Sequence, residues 1–146
     1  MDTLHMAGHL IRRLHQQSTA VFVQRTQAAG FDLTPVQFAA MDAIHTHPGS
    51  DQARVAELIG YDRATIGGVI DRLDKKGWVR RVVSARDRRA RELSLTTEGA
   101  SVRAAVLPTV RDVQQAILPG LSATERTQFL ALARRALDLA DGEPVA

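Results

Sequence analysis

Residues 55–73 read VAELIGYDRATIGGVIDRL. The apolar residues of its first part recur at helical spacing, and Gly60 ends that helix. Asp62 is a good N-cap for a second helix. The buried face of this second helix is predicted to consist of four apolar residues at i, i+3, i+4 and i+7: Ile66, Val69, Ile70 and Leu73. Two short helices joined by a tight turn at Gly60–Tyr61 have the spacing of a helix-turn-helix.

A two-stranded hairpin is predicted directly after these helices, where Gly77 ends the second of them. Residues 78–84 and 91–95 are predicted to form strands, because Leu93 and Leu95 alternate with polar residues. Residues 85–90 form a polar tip between the strands. The segment is therefore predicted to be a helix-turn-helix followed by a β-wing.

On the N-terminal side, residues 4–29 place their apolar side chains along one stripe, which predicts a long first helix that stops at Gly30. Residues 34–37, TPVQ, combine an N-cap threonine, a proline at the first helical position and a glutamine three residues after the cap. They predict a second helix that runs to about His45. Residues 47–50 break it, and Ser50 or Asp51 is expected to cap the third helix.

On the C-terminal side, Thr96 or Thr97 is expected to cap a fifth helix that runs through Leu118, with a kink at Pro108. Residues 122–125 form a capping box that opens a nearly continuously apolar sixth helix, reaching Ala140. Residues 141–146 are expected to be a loose tail.

Together these elements predict a mainly α fold with a small β-wing, in one domain spanning residues 1–146. The winged helix-turn-helix occupies about residues 34–96. Dimerisation helices flank it at about residues 1–30 and 97–141, because so much apolar surface is hard to bury in a small monomer.

Positive charge is concentrated in one block of the chain. Residues 63–91 hold 10 of the 19 Lys and Arg residues but only 3 of the 16 acidic residues. The block therefore carries about +7, while the whole chain carries only +3. Such a concentration indicates docking to a polyanion, and nucleic acid is the leading candidate.

Composition excludes several other classes. The chain contains no cysteine, which removes disulfides, thiolate metal ligands and cysteine nucleophiles. It also lacks an apolar run long enough to span a membrane, a signal core, a glycine-rich phosphate loop and a nucleophile elbow. We therefore expect a cytoplasmic, soluble protein that is not an enzyme and needs no cofactor.

The predicted fourth helix turns small and charged residues away from the core: Ala64, Gly68 and Asp71, flanked by Thr65, Gly67 and Arg72. Two adjacent glycines inside a helix cost about 1 kcal/mol each relative to alanine, so a compensating reason is expected. Close approach to DNA is one reason, and close packing against another helix is the alternative. Asp71 is expected to pair with Arg72 or Lys75, or to accept from cytosine.

The tip of the predicted wing concentrates guanidinium groups at Arg86, Arg88 and Arg89. A protruding loop of this kind could enter the minor groove of DNA, with Asp87 orienting a neighbouring arginine. A solvated charged loop is the alternative.

The chain resembles the MarR family of bacterial winged helix-turn-helix transcription regulators over nearly its whole length. The matching motifs are TPVQF at 34–38, residues 55–66 across the turn, residues 69–79 leading to the wing, DRR at 87–89 and LSLTTEG at 93–99. The resemblance implies a homodimer, formed by the first, fifth and sixth helices, that represses transcription from a palindromic double-stranded DNA operator. The fourth helix would enter the major groove and the wing the adjacent minor groove.

The resemblance also implies which residues contact DNA. Recognition-helix positions are matched by six residues: Arg63, Ala64, Thr65, Gly67, Gly68 and Arg72. Asp87 and Arg89 match the wing motif, in which the aspartate holds the arginine. The glycine pair departs from the larger residues common in the family.

Family members often release DNA when a small aromatic or anionic ligand binds. Residues 8–15 look like the first helix of members that regulate aromatic-acid breakdown, and they contain Arg12, Arg13 and His15. An arginine here could hold a carboxylate through a bidentate pair. An ordinary polar helix face or an interface salt bridge is the alternative.

Two other functions remain open. His5 and His9 lie four residues apart, and His45 and His47 flank a turn, so a metal-responsive regulator of the same fold is considered. A winged helix used only for protein contacts is the other, although its partner would not require the arginines of residues 63–91.

Overall fold

The computed structural model describes residues 2–139. A short 3₁₀ turn, Thr3–His5, is followed by eight elements: α1 (Ala7–Ala28), α2 (Pro35–Thr46), α3 (Gln52–Ile59), α4 (Ile66–Lys75), β1 (Val79–Val83), β2 (Arg91–Leu95), α5 (Thr97–Ala116) and α6 (Ala123–Ala136). The predicted fold of six helices and one hairpin is confirmed for this part of the chain. α5 ends at Ala116 rather than Leu118, and α6 ends at Ala136 rather than near Ala140. Ala140 and the predicted tail at 141–146 lie outside the described residues.

Helix starts follow the local signals in the sequence. The amide of Gln37 donates to Thr34 Oγ1 and the amide of Thr34 donates to Gln37 Oε1, both at 3.2 Å, which closes the predicted capping box of α2. Asp51 caps α3 by accepting from the amide of Arg54 at 2.8 Å. Glu125 closes the capping box of α6, and the hydrogen bond from the backbone N–H of Ser122 lowers the pKa of its carboxyl.

The start of α4 differs from the prediction. The helix begins at Ile66 rather than directly after Asp62. The Asp62 carboxylate accepts from the amide of Ala64 at 2.9 Å, and its carbonyl accepts from the amides of both Thr65 and Ile66. Residues 62–65 therefore form a separate turn, because aspartate can satisfy backbone donors outside a helix as well as cap one.

One hydrophobic core joins the winged helix-turn-helix to the flanking helices α1 and α5. Its buried residues come from α1 to α5 and the wing, and Phe22 of α1 meets Phe38 of α2 with ring centroids 6.4 Å apart. The predicted inner face of α4 is confirmed as fully buried or nearly so: Ile66, Val69, Ile70 and Leu73. α4 is therefore held with its opposite face outward.

The wing is a two-stranded antiparallel sheet. Val79 pairs with Leu95, and Val83 pairs with Arg91 near the tip. The amide of Leu93 also donates to the carbonyl of Ser50 at 2.8 Å, which ties β2 to the segment before α3. The wing thus stands beside the helix-turn-helix in a fixed register.

α6 leaves an apolar surface uncovered. None of its residues is buried, and several large apolar side chains on α6, just beyond it and on α1 are exposed: Leu10, Ile11, Leu130, Leu132, Leu137 and Leu139. α5 runs through Pro108 as one helix. Between residues 2 and 139, no helix has the length and apolar character needed to cross a membrane.

Candidate nucleic-acid interface

The helix-turn-helix is closed by a left-handed glycine. Gly60 has a φ of +66°, and the following amide of Tyr61 donates to the carbonyl of Ala56 at 2.8 Å. This pattern satisfies the last carbonyls of α3 and turns the chain sharply toward α4. Beyond the turn, Gly67 is half-buried and the other five predicted recognition residues are exposed: Arg63, Ala64, Thr65, Gly68 and Arg72.

Gly68, the second glycine of the pair on α4, is not packed against another part of the described structure. A Cβ added at Gly68 would meet no atom within 4 Å outside its own stretch of helix, and one at Gly67 would meet only Gln52 Nε2, at 3.6 Å. Close packing against another helix within residues 2–139 therefore does not explain the pair. The α4 backbone at Gly68 is open to whatever approaches from outside.

Asp71 has a partner that the sequence did not indicate. Its carboxylate accepts from Arg81 Nη2 at 2.6 Å, whereas the predicted protein partner was Arg72 or Lys75. Arg81 lies on β1, and it also approaches Asp74 Oδ2 at 3.4 Å. The predicted pairing with Arg72 or Lys75 was wrong because the partner is ten residues away and reaches Asp71 only through the fold of the hairpin.

The wing tip is held at its base by Ser84. This hydroxyl is buried, donates to Glu92 Oε1 at 2.9 Å and accepts from the amides of Arg86 and Asp87. Asp87 Oδ1 accepts from the backbone amide of Arg89 at 2.9 Å, so the aspartate holds that residue through its main chain. The three tip arginines remain exposed.

Most of the basic block faces solvent. Two of its ten cations have internal roles: Arg81, and Lys76, which contacts Asp32 and lies 4.6 Å from the centre of the Trp78 ring. The other eight are exposed, and none forms an ion pair within residues 2–139: Arg63, Arg72, Lys75, Arg80, Arg86, Arg88, Arg89 and Arg91. α4, the turn before it and the wing therefore carry positive charge that no ion pair in this part of the chain neutralises.

A half-open cavity of about 940 Å³ lies among α1, α2, α5 and α6, and four of the exposed apolar side chains described above line it: Ile11, Leu130, Leu132 and Leu137. Its lining is mainly apolar, with a few polar side chains that include His15, Asp42, Arg111 and Arg126. Arg126 donates to the carbonyl of Gln115 at 2.7 Å, while its Nε is buried without a partner among the described residues. The cavity can therefore hold an apolar ring beside hydrogen-bond donors.

Only one of the three predicted ligand residues lines the cavity. His15 lines the cavity, whereas Arg12 and Arg13 are exposed and outside its lining. Arg12 Nη2 contacts His9 Nδ1 at 2.8 Å. Arg111 and Arg126 line the cavity but could not be found from sequence, because no local motif marks an arginine on α5 or α6 as facing it.

In residues 2–139, the histidines contact neighbouring residues rather than forming a cluster with metal-ligand composition. His5 lies 3.5 Å from Asp2 and His47 bonds Thr46 at 3.0 Å. In the described part of the chain, no group of three or more His, Cys, Asp or Glu side chains could hold a metal ion.

Comparison with known proteins identifies the family. Residues 31–90 match a family model described as the MarR family. The chain is 34% identical over 137 residues to the HTH-type transcriptional repressor NicR of Pseudomonas putida, which covers 94% of this chain and 85% of NicR.

Two solved structures are similar over almost their full length. BpsR of Bordetella bronchiseptica, whose DNA binding is regulated by 6-hydroxynicotinic acid, has a TM-score of 0.87 at 27% identity, covering 96% of this chain and 99% of BpsR. The transcriptional regulator PcaV of Streptomyces coelicolor, in complex with its natural ligand, has a TM-score of 0.84 at 33% identity, covering 94% and 96%. The resemblance predicted from the motifs is thus confirmed, and the chain belongs to the MarR family.

Proposed function

We propose that this protein is a homodimeric repressor that binds a palindromic DNA operator. The observation that carries the proposal is the group of eight exposed cations on α4, the turn before it and the wing, which form no ion pair within residues 2–139, beside a helix face that is open at Gly68. Lysine and arginine that neutralise phosphates supply most of the affinity of such proteins for DNA. α4 would enter the major groove and Arg86 to Arg89 the minor groove.

We infer that residues 34–96 form the DNA-binding lobe, and that about 1–30 and 97–141 form the dimer. The exposed apolar side chains of α1 and α6 support this assignment, because a second copy would remove them from water. Four of them, Ile11, Leu130, Leu132 and Leu137, also line the cavity, so the second copy would help to close it. The similarity to NicR, which is named a transcriptional repressor, supports repression. This function requires no catalysis, and we expect no enzymatic activity.

We infer further that a small aromatic carboxylate releases the DNA. The cavity among α1, α2, α5 and α6 supports this inference, because it offers apolar walls with His15 and Arg111 among its polar side chains. BpsR responds to an aromatic acid, 6-hydroxynicotinic acid. A bound ligand would act by favouring one of two arrangements of the lobes.

The test is a titration of the full chain against the DNA upstream of its own coding region, at two salt concentrations. Each arm is repeated with a panel of aromatic carboxylates and with Zn²⁺. Selective binding that weakens with salt and is relieved by a carboxylate would support the proposal. Relief by Zn²⁺ alone would favour a metal-responsive regulator, and absence of selective DNA binding would favour a protein-interaction module.

The wing provides the first prediction. Arg89→Ala is expected to weaken operator binding by about 1 to 3 kcal/mol, because a guanidinium contact to the groove is lost. The slope of log affinity against log salt should fall by about 0.9 if that contact is to a phosphate. Arg25→Ala, which removes an exposed arginine from α1, is the matched control and should leave binding unchanged. Equal binding by both variants would remove the wing from the mechanism.

A second prediction concerns Gly68, where stability and DNA binding should change in opposite directions. Gly68→Ala is expected to raise the free energy of unfolding by up to about 1 kcal/mol, because alanine is the better helix former and the site is open. The same methyl group should weaken operator binding about tenfold, or about 1.4 kcal/mol, by holding α4 away from the bases. Chemical unfolding and DNA titration measure the two effects. A stabilised variant with normal DNA affinity would show that the backbone at Gly68 does not approach DNA.

A further inference from the structure

Arg81 joins three elements of the winged helix through one guanidinium group. Its Nη2 donates to Asp71 Oδ1 at 2.6 Å and to Gln52 Oε1 at 2.8 Å, and its Nε donates to Gln52 Oε1 at 3.2 Å. Its Nη1 lies 3.4 Å from Asp74 Oδ2. The group therefore connects the start of α3, the outer part of α4 and strand β1. Only 26% of the Arg81 side chain is exposed, so the guanidinium is held between these elements.

The two carboxylates that Arg81 binds have an unfavourable position for DNA binding. Asp71 and Asp74 lie three residues apart on α4, and their side chains are 61% and 52% exposed. Residues three apart lie on one face of a helix, so the pair forms one negative patch on the helix proposed to meet phosphates. An unpaired carboxylate near phosphates is repelled, and the guanidinium offsets part of this charge.

The same contact fixes the wing relative to α4. Arg81 lies in the middle of β1, opposite Leu93, and Ser84 at the end of the wing holds the tip loop three residues later. A hydrogen-bonded guanidinium on β1 therefore limits how far the tip can swing from α4. The two proposed DNA contacts, in the major and minor grooves, depend on that distance.

We propose that Arg81 is a positioning residue for operator binding, which neutralises Asp71 and Asp74 and sets the wing against α4 without contacting DNA. This inference rests on the proposed function. It separates Arg81 from the eight exposed cations of the same block, which have no ion-pair partner among residues 2–139.

The experiment compares Arg81→Gln with Arg80→Gln, which removes one charge from the adjacent, exposed position of the same strand. Arg81→Gln is expected to lower affinity for the operator DNA at least tenfold with an unchanged salt slope, because no phosphate contact is lost. Arg80→Gln is expected to change affinity less, and any loss should come with a smaller salt slope. Thermal unfolding and the oligomeric state are measured for each variant.

Rescue provides the decisive readout. Adding Asp71→Asn to Arg81→Gln should restore affinity at least threefold, because it removes the carboxylate that was left without a partner. Asp71→Asn alone should not improve binding to that extent. If Arg81→Gln does not fold, Arg81→Lys replaces it: the lysine keeps the charge but not the fork, so affinity should fall less and Asp71→Asn should then bring no gain.

Three results would overturn the inference. Normal affinity of Arg81→Gln, or of Arg81→Lys if that variant is used, would remove its role. A salt slope reduced by about 0.9 would make it a phosphate contact. Absence of rescue by Asp71→Asn in the glutamine variant would show that the carboxylate is not what Arg81 neutralises. Each result presupposes that the wild-type protein binds the operator, so failure of wild-type binding contradicts the proposed function instead.

Discussion

Gly99→Ala is expected to lower the free energy of unfolding by about 3 kcal/mol or more, the upper end of what overpacking costs. A Cβ at this position would lie 2.0 Å from the carbonyl oxygen of Trp78 and 2.7 Å from its carbonyl carbon. Atoms cannot approach so closely, so the first turn of α5 would have to move away from the connection between α4 and β1. Neither α5 nor this connection can move freely, because hydrogen bonds through Thr96 join them.

Thr96 organises that junction. Its amide donates to the Trp78 carbonyl at 3.0 Å, its hydroxyl donates to the Gly77 carbonyl at 2.6 Å, and the same hydroxyl accepts from the amide of Gly99 at 3.0 Å. Moving α5 to admit a methyl group would break these bonds together. The loss should therefore exceed that of a simple clash with a side chain.

Chemical unfolding of Gly99→Ala and Gly8→Ala gives a matched test. Gly8 lies in the first turn of α1, as Gly99 lies in the first turn of α5, but a Cβ at Gly8 meets nothing within 4 Å. Gly8→Ala should be neutral or stabilising by up to about 1 kcal/mol. A wild-type unfolding midpoint for Gly99→Ala would show that the junction can relax and that the contact with Trp78 is not a constraint.

The second large effect is expected at Arg103, which joins α5 to α2. Arg103 Nε and Nη2 donate to Asp42 Oδ1 at 2.9 and 2.6 Å, and the two side chains are only 14% and 19% exposed. Arg103→Met should lower the free energy of unfolding by about 2 to 3 kcal/mol, because it leaves the Asp42 carboxylate desolvated without its partner. Removing one member of a partly buried pair costs more than the pair itself contributes.

A double-mutant cycle checks this explanation. Asp42→Asn in the Arg103→Met background should recover at least half of the loss, since no charge is then left in the site. Urea unfolding of the four proteins gives the coupling energy. Additive losses would mean that Arg103 stabilises the protein through its aliphatic stem rather than through Asp42.

The pair has a place in the proposed mechanism as well. Asp42 lines the cavity between the helices, and Arg103 holds it from α5. α2 belongs to the proposed DNA-binding lobe and α5 to the proposed dimer lobe, so this ion pair crosses between them. It is one physical connection through which a ligand in the cavity could change the position of the winged helix.

Most of the fold was predictable because its signals are local. The capping boxes at Thr34 and Ser122 involve residues three apart, and the buried stripe of α4 repeats within seven. The boundaries of several helices differed from the prediction, and the start of α4 shows why: Asp62 offers its carboxylate to a turn as readily as to a helix, and the sequence does not distinguish the two.

The sequence by itself determined the helix-turn-helix, the wing, the basic block and the family, since each depends on spacing along the chain. Only the tertiary structure decided which side chains meet: Arg81 with Asp71, Arg103 with Asp42, and Gly99 with the Trp78 carbonyl. It also decided that His15 lines the cavity while Arg12 does not. These contacts join residues that are brought together by the packing of elements. A periodic pattern states which face of a helix is buried, but not which neighbour that face or its edge will meet.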